Sequence, residues 1–372
     1  MRLNTAEWAR VESLFPQAAE LGAGERARFL DRECVSEPRV RAEIEAMLEA
    51  ADGADPLFDA PVALGVTDTT MVELLAAGTR LGSWKIRSLI GHGGMGEVYL
   101  AERADGAYAM NVAIKLLKRE LFSYVNAQRF LRERRVLARL SHPNIARVLD
   151  AGTTDDGRPY LVMEYVHGTR VTDYAHARQL PPREAARVML AVAEAVAEAH
   201  RHGVVHRDLK PANVMVTDEQ QVKLLDFGIA KLMDEDEAAA PGVLPMTPAY
   251  AAPEQILGQP LTPAADVYAL GVVLFQLLTR RLPHRREGMP LPVIAAGLKD
   301  EGPERPKAGD LGWIALKALA AEPQQRYANA GELAEDLRRY FAHLPVRARA
   351  PSIGYRVARL VRRLAGGFIP TR

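Results

Sequence analysis

Residues 206–213 have the sequence HRDLKPAN, and residues 224–228 have the sequence LLDFG. Asp208 and Asn213 lie five residues apart with Lys210 between them, and Asp226 stands near the end of the β-rich segment QVKLLDF. Carboxylate and amide oxygens suit Mg²⁺, a separate carboxylate can accept the proton of an attacking hydroxyl, and cations stabilise a transferring phosphoryl group. The two segments together indicate phosphoryl-transfer chemistry.

A glycine cluster lies upstream, GHGGMGEV at residues 91–98. Its spacing, Gly91-x-Gly93-x-x-Gly96, lets backbone N–H groups approach phosphate closely. A dinucleotide-binding site requires such glycines to open a helix, but the alternating segments SWKIRSLI and EVYLAER predict a strand on each side. The cluster also lacks the GK[ST] of a P-loop. A β-hairpin over a nucleotide fits best, and a nucleotide-dependent oxidoreductase is disfavoured.

Three further motifs complete a series. VAIK ends at Lys115 on the next predicted strand, the segment RFLRERRVLARL contains Glu133, and AAPE ends at Glu254. Taken alone, Glu133 reads most simply as part of a solvated helix face. The motifs nevertheless stand in the order of the protein-kinase signature set, and this order favours an ion pair between Glu133 and Lys115.

On these motifs, the chain from about residue 81 to residue 344 resembles a eukaryotic-like Ser/Thr protein kinase, most similar to the bacterial branch. The resemblance implies an α+β, bilobal protein-kinase fold with a β-rich N-lobe, an α-rich C-lobe and ATP between them. It also implies ATP and Mg²⁺ as cofactors, Asp208 as catalytic base, Lys210 as a γ-phosphate contact, and Asn213 and Asp226 as metal ligands.

The resemblance assigns the nucleotide contacts as well. Lys115 would hold the α and β phosphates, and YLVMEYV would be the hinge, with Met163 as gatekeeper and the backbones of Glu164 and Val166 meeting adenine. Val98, Ala113 and Met215 would enclose the ring, and plain core packing of Val98 and Met215 is compatible with that role. The glycines expected over the phosphates are Gly91, Gly93, Gly94 and Gly96.

The form of the catalytic loop implies the substrate class. Lys210 follows Asp208 by two residues, as in Ser/Thr kinases, and Thr247 stands where the family has a threonine that bridges these two residues. Asp266 and the pair of Arg326 with Glu254 match positions that serve the architecture. Protein substrates with Ser or Thr are therefore implied, with autophosphorylation as a further expectation. A pseudokinase or scaffold is the alternative, but it would lack one of the catalytic residues.

The composition suits a soluble globular protein, with 48% hydrophobic residues and a formal net charge of +1. The even charge gives no sign of a nucleic-acid partner, and the single cysteine, Cys34, excludes an internal disulfide. The start of the chain lacks the apolar core of a secretory signal, and the apolar run 267–278 is too short to cross a bilayer. We expect a cytoplasmic location, and the sequence does not indicate an oligomeric state.

Changes of pattern divide the chain. We expect a helical unit at 1–50, a linker at 51–80 with a short helix at 71–77, an N-lobe at 81–166, a C-lobe at 167–344 and a basic tail at 345–372. A charged amphipathic helix is predicted at 127–140. In the tail, Val357, Leu360, Val361 and Leu364 share one helical face opposite arginines. This pattern is compatible with a solvated surface helix or with a helix on a membrane surface.

The loop after residue 228 is unusual. Its eighteen residues between Gly228 and Thr247 contain no Ser, Thr or Tyr, but they include Asp234, Glu235, Asp236 and Glu237. In relatives with an arginine at the position of Arg207, a phosphate on this loop commonly pairs with it. The acids are therefore either substitutes for a phosphate or a solvated acidic segment.

Overall fold

The computed structural model describes most of the chain from residue 74 onward and parts of the preceding segment. The described residues are 10, 14, 18, 23–34, 37–42, 44–45, 74–93, 96–104, 110–118, 140–226, 247–284, 294, 297, 302–350 and 352–366. The chain forms a small unit within residues 1–58 and a much larger one that begins at residue 59.

The small unit contains helix α1, Ala23–Glu33. Its described apolar residues pack into a core of their own, made of Leu14, Ala18, Leu30, Cys34, Val40 and Ile44. Burial raises the pKa of the Cys34 thiol. Since Val40 and Ile44 are fully buried, the helical spacing at 40–44 corresponds to a packed face.

The N-lobe is built on an antiparallel sheet of six strands in the order β1-β2-β3-β4-β6-β5. Their bounds are Arg80–Leu81 (β1), Trp84–Gly93 (β2), Gly96–Arg103 (β3), Asn111–Leu117 (β4), Val148–Thr153 (β5) and Pro159–Glu164 (β6). Side chains alternate between the two faces of a strand. Val112, Ile114 and Leu116 of β4 accordingly enter the lobe core, while Ala113 and Lys115 face the other way, toward the cleft.

The C-lobe carries a small antiparallel sheet beside its helices. Its strands are Gly168–Arg170 (β7), Val214–Thr217 (β8) and Val222–Leu224 (β9), in the order β7-β8-β9. The helices are Val171–Ala177 (α2), Pro182–Arg201 (α3), Pro253–Ile256 (α4), Pro263–Thr279 (α5), Asp310–Ala318 (α6), Ala330–Phe341 (α7) and Ile353–Gly366 (α8).

Helix α5 forms the centre of the C-lobe. It is buried on nearly all sides, as expected for a helix that is apolar around its whole circumference. A Cβ at Gly271 would lie 2.8 Å from the Cβ of Ala318, so glycine permits the close approach of α5 and α6. The helix ends at Thr279, and the next residue, Arg280, has a left-handed φ of 59°.

The architecture confirms the predicted α+β bilobal fold, and the helices predicted near 183–201 and 264–278 are present as α3 and α5. The short helix predicted at 71–77 is not found in its described part, because residues 74–76 are irregular and 77–78 form a turn. The helix predicted at 127–140 lies outside the described residues except for Leu140, which is not helical. Among the described helices, none combines the length and apolar character needed to cross a membrane.

Candidate active site

A cleft of about 720 Å³ lies between the large sheet and the C-lobe. Fifteen of the residues predicted for the site line it: Gly91, Gly93, Gly96, Val98, Ala113, Lys115, Met163, Glu164, Val166, Asp208, Lys210, Asn213, Met215, Asp226 and Thr247. Glu133 and Gly94, also predicted for the site, lie outside the described residues. The structure thus brings every described member of the predicted set to one cleft.

Strand register explains the N-lobe wall of the cleft. Val98 pairs with Lys115 across β3 and β4, and Ala113 pairs with Met163 across β4 and β6. Residues directly opposite one another project from the same face of a sheet. Val98, Ala113, Lys115 and Met163 therefore form one continuous surface, and Met215 on β8 lies in the C-lobe wall of the same cleft.

Gly96 has a structural reason to be glycine. Its φ is +138°, and a Cβ at this position would lie 1.9 Å from the carbonyl oxygen of Leu116. Gly93 differs, because a Cβ there would meet no described atom within 4 Å. The fold thus requires the third glycine for the approach of β3 to β4, whereas Gly93 leaves open space at the mouth of the cleft.

The side chain of Asp266 on α5 holds the loop that carries Asp208 through hydrogen bonds to its backbone. Its carboxylate accepts hydrogen bonds from the backbone N–H groups of His206, at 2.7 Å, and Arg207, at 2.9 Å, and it contacts His200 Nε2 at 2.9 Å. Burial alone would raise the pKa of the Asp266 carboxyl, but the bonds and charges of His200 and His206 outweigh it and lower this pKa. The anion holds Arg207 in a left-handed conformation, φ 66°.

Asp208 is the centre of a connected polar group. Lys210 Nζ lies 3.6 Å from Asp208 Oδ2 and donates a hydrogen bond of 3.0 Å to Thr247 Oγ1. Asn213 Nδ2 donates to the Asp208 backbone carbonyl at 2.7 Å. This bond uses the amide nitrogen of Asn213 and leaves its Oδ1 as the atom that can meet a cation. The sequence placed these four residues in one site, and the structure connects them.

Lys115 and Asp226 form a direct contact across the cleft. Lys115 Nζ lies 2.6 Å from Oδ1 and 2.5 Å from Oδ2 of Asp226, although 111 residues separate the two in sequence. Asp226 has a left-handed φ of 51°. Glu133, the partner predicted for Lys115, is not described, so that pairing stays a prediction. Lys115 and Asp226, both predicted for the site, are therefore in direct contact in the folded chain.

Sequence reasoning missed an ion pair at the predicted hinge. Lys223 Nζ on β9 lies 2.8 Å from Glu164 Oε1, and the backbone N–H of Arg147 donates to Glu164 Oε2 at 3.2 Å. The backbone N–H of Glu164 in turn donates to the carbonyl of Arg147 at 2.9 Å. Alternation along β9 marks Lys223 as outward-facing, but no local signal in the sequence joins it to Glu164.

One structural ion pair stands where the motifs suggested. Arg326 donates to both carboxylate oxygens of Glu254, at 2.7 and 2.8 Å, and both side chains are buried. The acidic stretch Asp234–Glu237 and its relation to Arg207 lie outside the described residues. The hypothesis that these acids substitute for a phosphate therefore stays a prediction.

Comparisons with known proteins agree with this geometry. Residues 84–294 match the family model of the protein kinase domain. The serine/threonine-protein kinase Pkn1 of Myxococcus xanthus is 38% identical over 283 residues, which are 73% of this chain and 40% of that protein. Serine/threonine-protein kinase PrkC of Bacillus subtilis is 37% identical over 70% of this chain and 41% of its own length.

A solved structure is similar as well. The crystal structure of a point mutant of the Mycobacterium tuberculosis PknI kinase domain has a TM-score of 0.54 and 31% identity, and the match covers 72% of this chain and 98% of that one. The chain spans about two fifths of the length of the curated relatives named above. From its motifs, its fold and these similarities, the chain belongs to the protein kinase domain family, within its bacterial serine/threonine branch.

Proposed function

We propose that this chain transfers the γ-phosphoryl group of ATP to serine or threonine hydroxyls of protein substrates. One observation supports this most: Asp208, Lys210, Asn213 and Thr247 form a connected polar group in the same cleft as Lys115 and Asp226. A proton acceptor, cations and metal-type oxygens are thereby available within one site, and these are the groups that phosphoryl transfer requires.

In the proposed reaction, the Asp208 carboxylate accepts the proton of the substrate hydroxyl. The hydroxyl oxygen forms a bond to the γ-phosphorus, the bond from this phosphorus to the β–γ bridging oxygen breaks, and ADP leaves. Lys210 lies near Asp208 and contacts Thr247, so its charge is placed to stabilise the transferring group. Thr247 holds the ammonium of Lys210 in position.

The N-lobe wall would bind the rest of the nucleotide. Lys115 can exchange its contact with Asp226 for phosphate oxygens, since both offer it negative charge. Val98 and Ala113 lie on the same face as Lys115, with Met215 across the cleft, and their apolar surfaces suit an adenine ring. Backbone groups of Glu164 and Val166 line the cleft edge, where they would bond the ring.

The donor set also fits a divalent cation. A hard cation such as Mg²⁺ prefers carboxylate, amide and phosphate oxygens and keeps several waters, so few protein ligands suffice. Asp226 and the free Oδ1 of Asn213 would hold it in the cleft. When bound, the cation would neutralise negative charge on the phosphates. We propose Mg²⁺ as this ion and a compartment that supplies ATP, the cytoplasm, as the location.

The experiment measures phosphate transfer from labelled ATP and Mg²⁺ to a generic Ser/Thr-containing protein, with enzyme shown by intact mass to be unphosphorylated. We expect transfer, and we expect Asp208→Asn to reduce it by roughly 100- to 10,000-fold, the range for removal of a general base. Asp155→Asn, on an exposed turn, is the matched control and should leave the rate unchanged.

Two outcomes would contradict the proposal. Equal transfer by the Asp208→Asn variant would show that Asp208 is not the proton acceptor. Tight ATP binding without any transfer would instead favour a pseudokinase that acts by binding. A further variant, with the four acids 234–237 changed to alanine, tests the phosphate-substitute hypothesis, since unchanged specific activity would rule it out.

A further inference from the structure

Helix α8 is attached to the C-lobe by polar residues. Tyr355 OH donates to Asp310 Oδ2 at 2.5 Å, and Arg359 Nη2 contacts the same oxygen. Arg349 Nη1 lies 3.5 Å from Asp310 Oδ1, and its guanidinium lies 4.2 Å from the centre of the Tyr355 ring. Asp310 is only 3% exposed. The buried carboxylate of Asp310, at the start of α6, thus contacts three side chains of the tail.

This attachment turns the apolar face of α8 outward. Ile353 is 85% exposed, Val357 53%, Leu360 55% and Val361 58%. These four residues follow the spacing i, i+4, i+7, i+8 and therefore form one stripe along the helix, here called the apolar stripe. A surface helix usually buries such a stripe and exposes its polar residues. Helix α8 does the reverse, because Tyr355 and Arg359 are the residues that face the lobe.

The charged residues of the tail that carries the apolar stripe are all basic. No Asp or Glu follows Asp336, whereas nine arginines do. Since 39 of the 48 basic residues and all 47 acidic residues precede position 337, the rest of the chain is net acidic. Arg356 and Arg363 on α8 are exposed and border one side of the stripe. The exposed surface of α8 is therefore both apolar and cationic.

We propose that α8 binds the surface of an anionic lipid bilayer, with the apolar stripe in the interfacial layer and Arg356 and Arg363 at the lipid phosphates. A helix with one apolar face and an arginine-rich remainder is the form that interfacial membrane helices take. Arginine stems can lie along the apolar region while their charges stay among the headgroups. Because Tyr355 and Arg359 hold the opposite face against Asp310, the helix cannot rotate the stripe onto the lobe.

The two parts of this surface distinguish a bilayer from other anions. A nucleic acid would attract the arginines but would leave the apolar stripe in water, since phosphate contacts use charge and hydrogen bonds. A bilayer would bind both features, because it buries the apolar stripe and its anionic headgroups attract the arginines. The proposal therefore requires that the apolar stripe and the arginines each contribute to binding.

The test is co-sedimentation of the whole chain with two kinds of vesicles, pure phosphatidylcholine and a mixture with about a third phosphatidylglycerol, which supplies anionic charge. We expect binding to the anionic vesicles only, with weakening as salt is raised. Val357→Ser with Leu360→Ser should weaken it at least tenfold. Arg356→Gln with Arg363→Gln should weaken it by roughly fivefold per arginine, the value of about 1 kcal/mol for each charge near an anionic surface.

Matched variants serve as controls. Leu74→Ser with Leu257→Ser removes two exposed leucines elsewhere, and Arg80→Gln with Arg280→Gln removes two exposed arginines. Neither pair should change vesicle binding. Far-UV circular dichroism and thermal unfolding should be equal in all variants, which verifies folding without phosphate transfer and keeps this test separate from that of the proposed function.

Each outcome has a definite meaning. Loss of binding in both α8 variants, with retention in both controls, would support the proposal. Absence of binding to anionic vesicles would overturn it. Binding that survives in the Val357→Ser, Leu360→Ser variant would also overturn it, and competition by nucleic acid would then identify a purely electrostatic surface.

Discussion

Replacement of Arg326 by methionine should be among the most destabilising single changes in the C-lobe. The Arg326 guanidinium makes five hydrogen bonds: two to the carboxylate of Glu254, and one each to the carbonyls of Ala264, Ala320 and Ala321. Its side chain has no exposed surface and that of Glu254 is 5% exposed. Methionine has a similar length but no donor, so the carboxylate would stay buried without its counter-ion.

The cost follows from these contacts. Removing one partner of a buried ion pair costs about 3–5 kcal/mol, because the other charge loses its compensation. Each carbonyl that loses its donor adds about 0.5–1.5 kcal/mol. The total, roughly 4.5–9.5 kcal/mol, is comparable with the whole free energy of unfolding of a typical domain, about 5–15 kcal/mol. We therefore expect little or no folded Arg326→Met protein at 37 °C.

Urea unfolding followed by tryptophan fluorescence would measure the effect. Arg338→Met is a matched control, because Arg338 pairs with Glu194 at 2.8 Å while both side chains stay partly exposed. Such a pair contributes only about 0–1 kcal/mol. The double variant Glu254→Gln, Arg326→Met should recover part of the loss, since no uncompensated charge remains. Equal stability of Arg326→Met and Arg338→Met would refute this reasoning.

Three further predictions concern the site and its supports. Gly96→Ala should lower the melting temperature by several degrees, as backbone displacement and strain cost about 1–3 kcal/mol, whereas Gly93→Ala should leave it nearly unchanged. Thr247→Ala should reduce kcat by roughly 10- to 150-fold, which corresponds to the loss of a hydrogen bond to a charged donor, whereas Thr247→Ser should retain the wild-type rate. Equal kcat values for Thr247→Ala and wild type would contradict a role for the contact with Lys210. Burial lowers the pKa of His142, whose Nδ1 accepts a hydrogen bond from the Asn144 N–H, so the unfolded chain binds its proton more readily. Wild type should therefore lose stability relative to His142→Gln as the pH falls below about 6.5, and parallel pH curves in thermal unfolding would exclude this role.

The location of the site could be predicted because its residues occur in short segments of fixed spacing. Asp208, Lys210 and Asn213 share one loop, so local geometry brings them together wherever the loop lies. Lys115 and Asp226 were predicted for the same cleft through the order of their motifs. Their direct contact could not be predicted, because it joins segments 111 residues apart and depends on the closure of the two lobes.

Contacts between distant segments account for the other differences. Glu97, next to Gly96, is 2% exposed and pairs with Arg158, 61 residues away, and no local pattern in the sequence indicates this contact. In the tail, the 3.6-residue period correctly predicted an amphipathic helix, but periodicity does not say which face is covered. The contact with Asp310 determines which face of the helix is covered, and Asp310 lies 45 residues before its partner Tyr355.

The contacts of the tail also bear on how the chain can be divided into fragments. Asp336 accepts hydrogen bonds from the backbone N–H groups of Arg347 and Ala348. Asp310 accepts hydrogen bonds from the side chains of Tyr355 and Arg359. Truncation just after Leu344 would remove these donors, which offset the burial of the two carboxylates. Asp310 would lose Tyr355 and Arg359, and Asp336 would keep the hydrogen bond from the Tyr327 hydroxyl. A recombinant kinase domain should therefore extend through α8, and shorter fragments are expected to express poorly for reasons unrelated to catalysis.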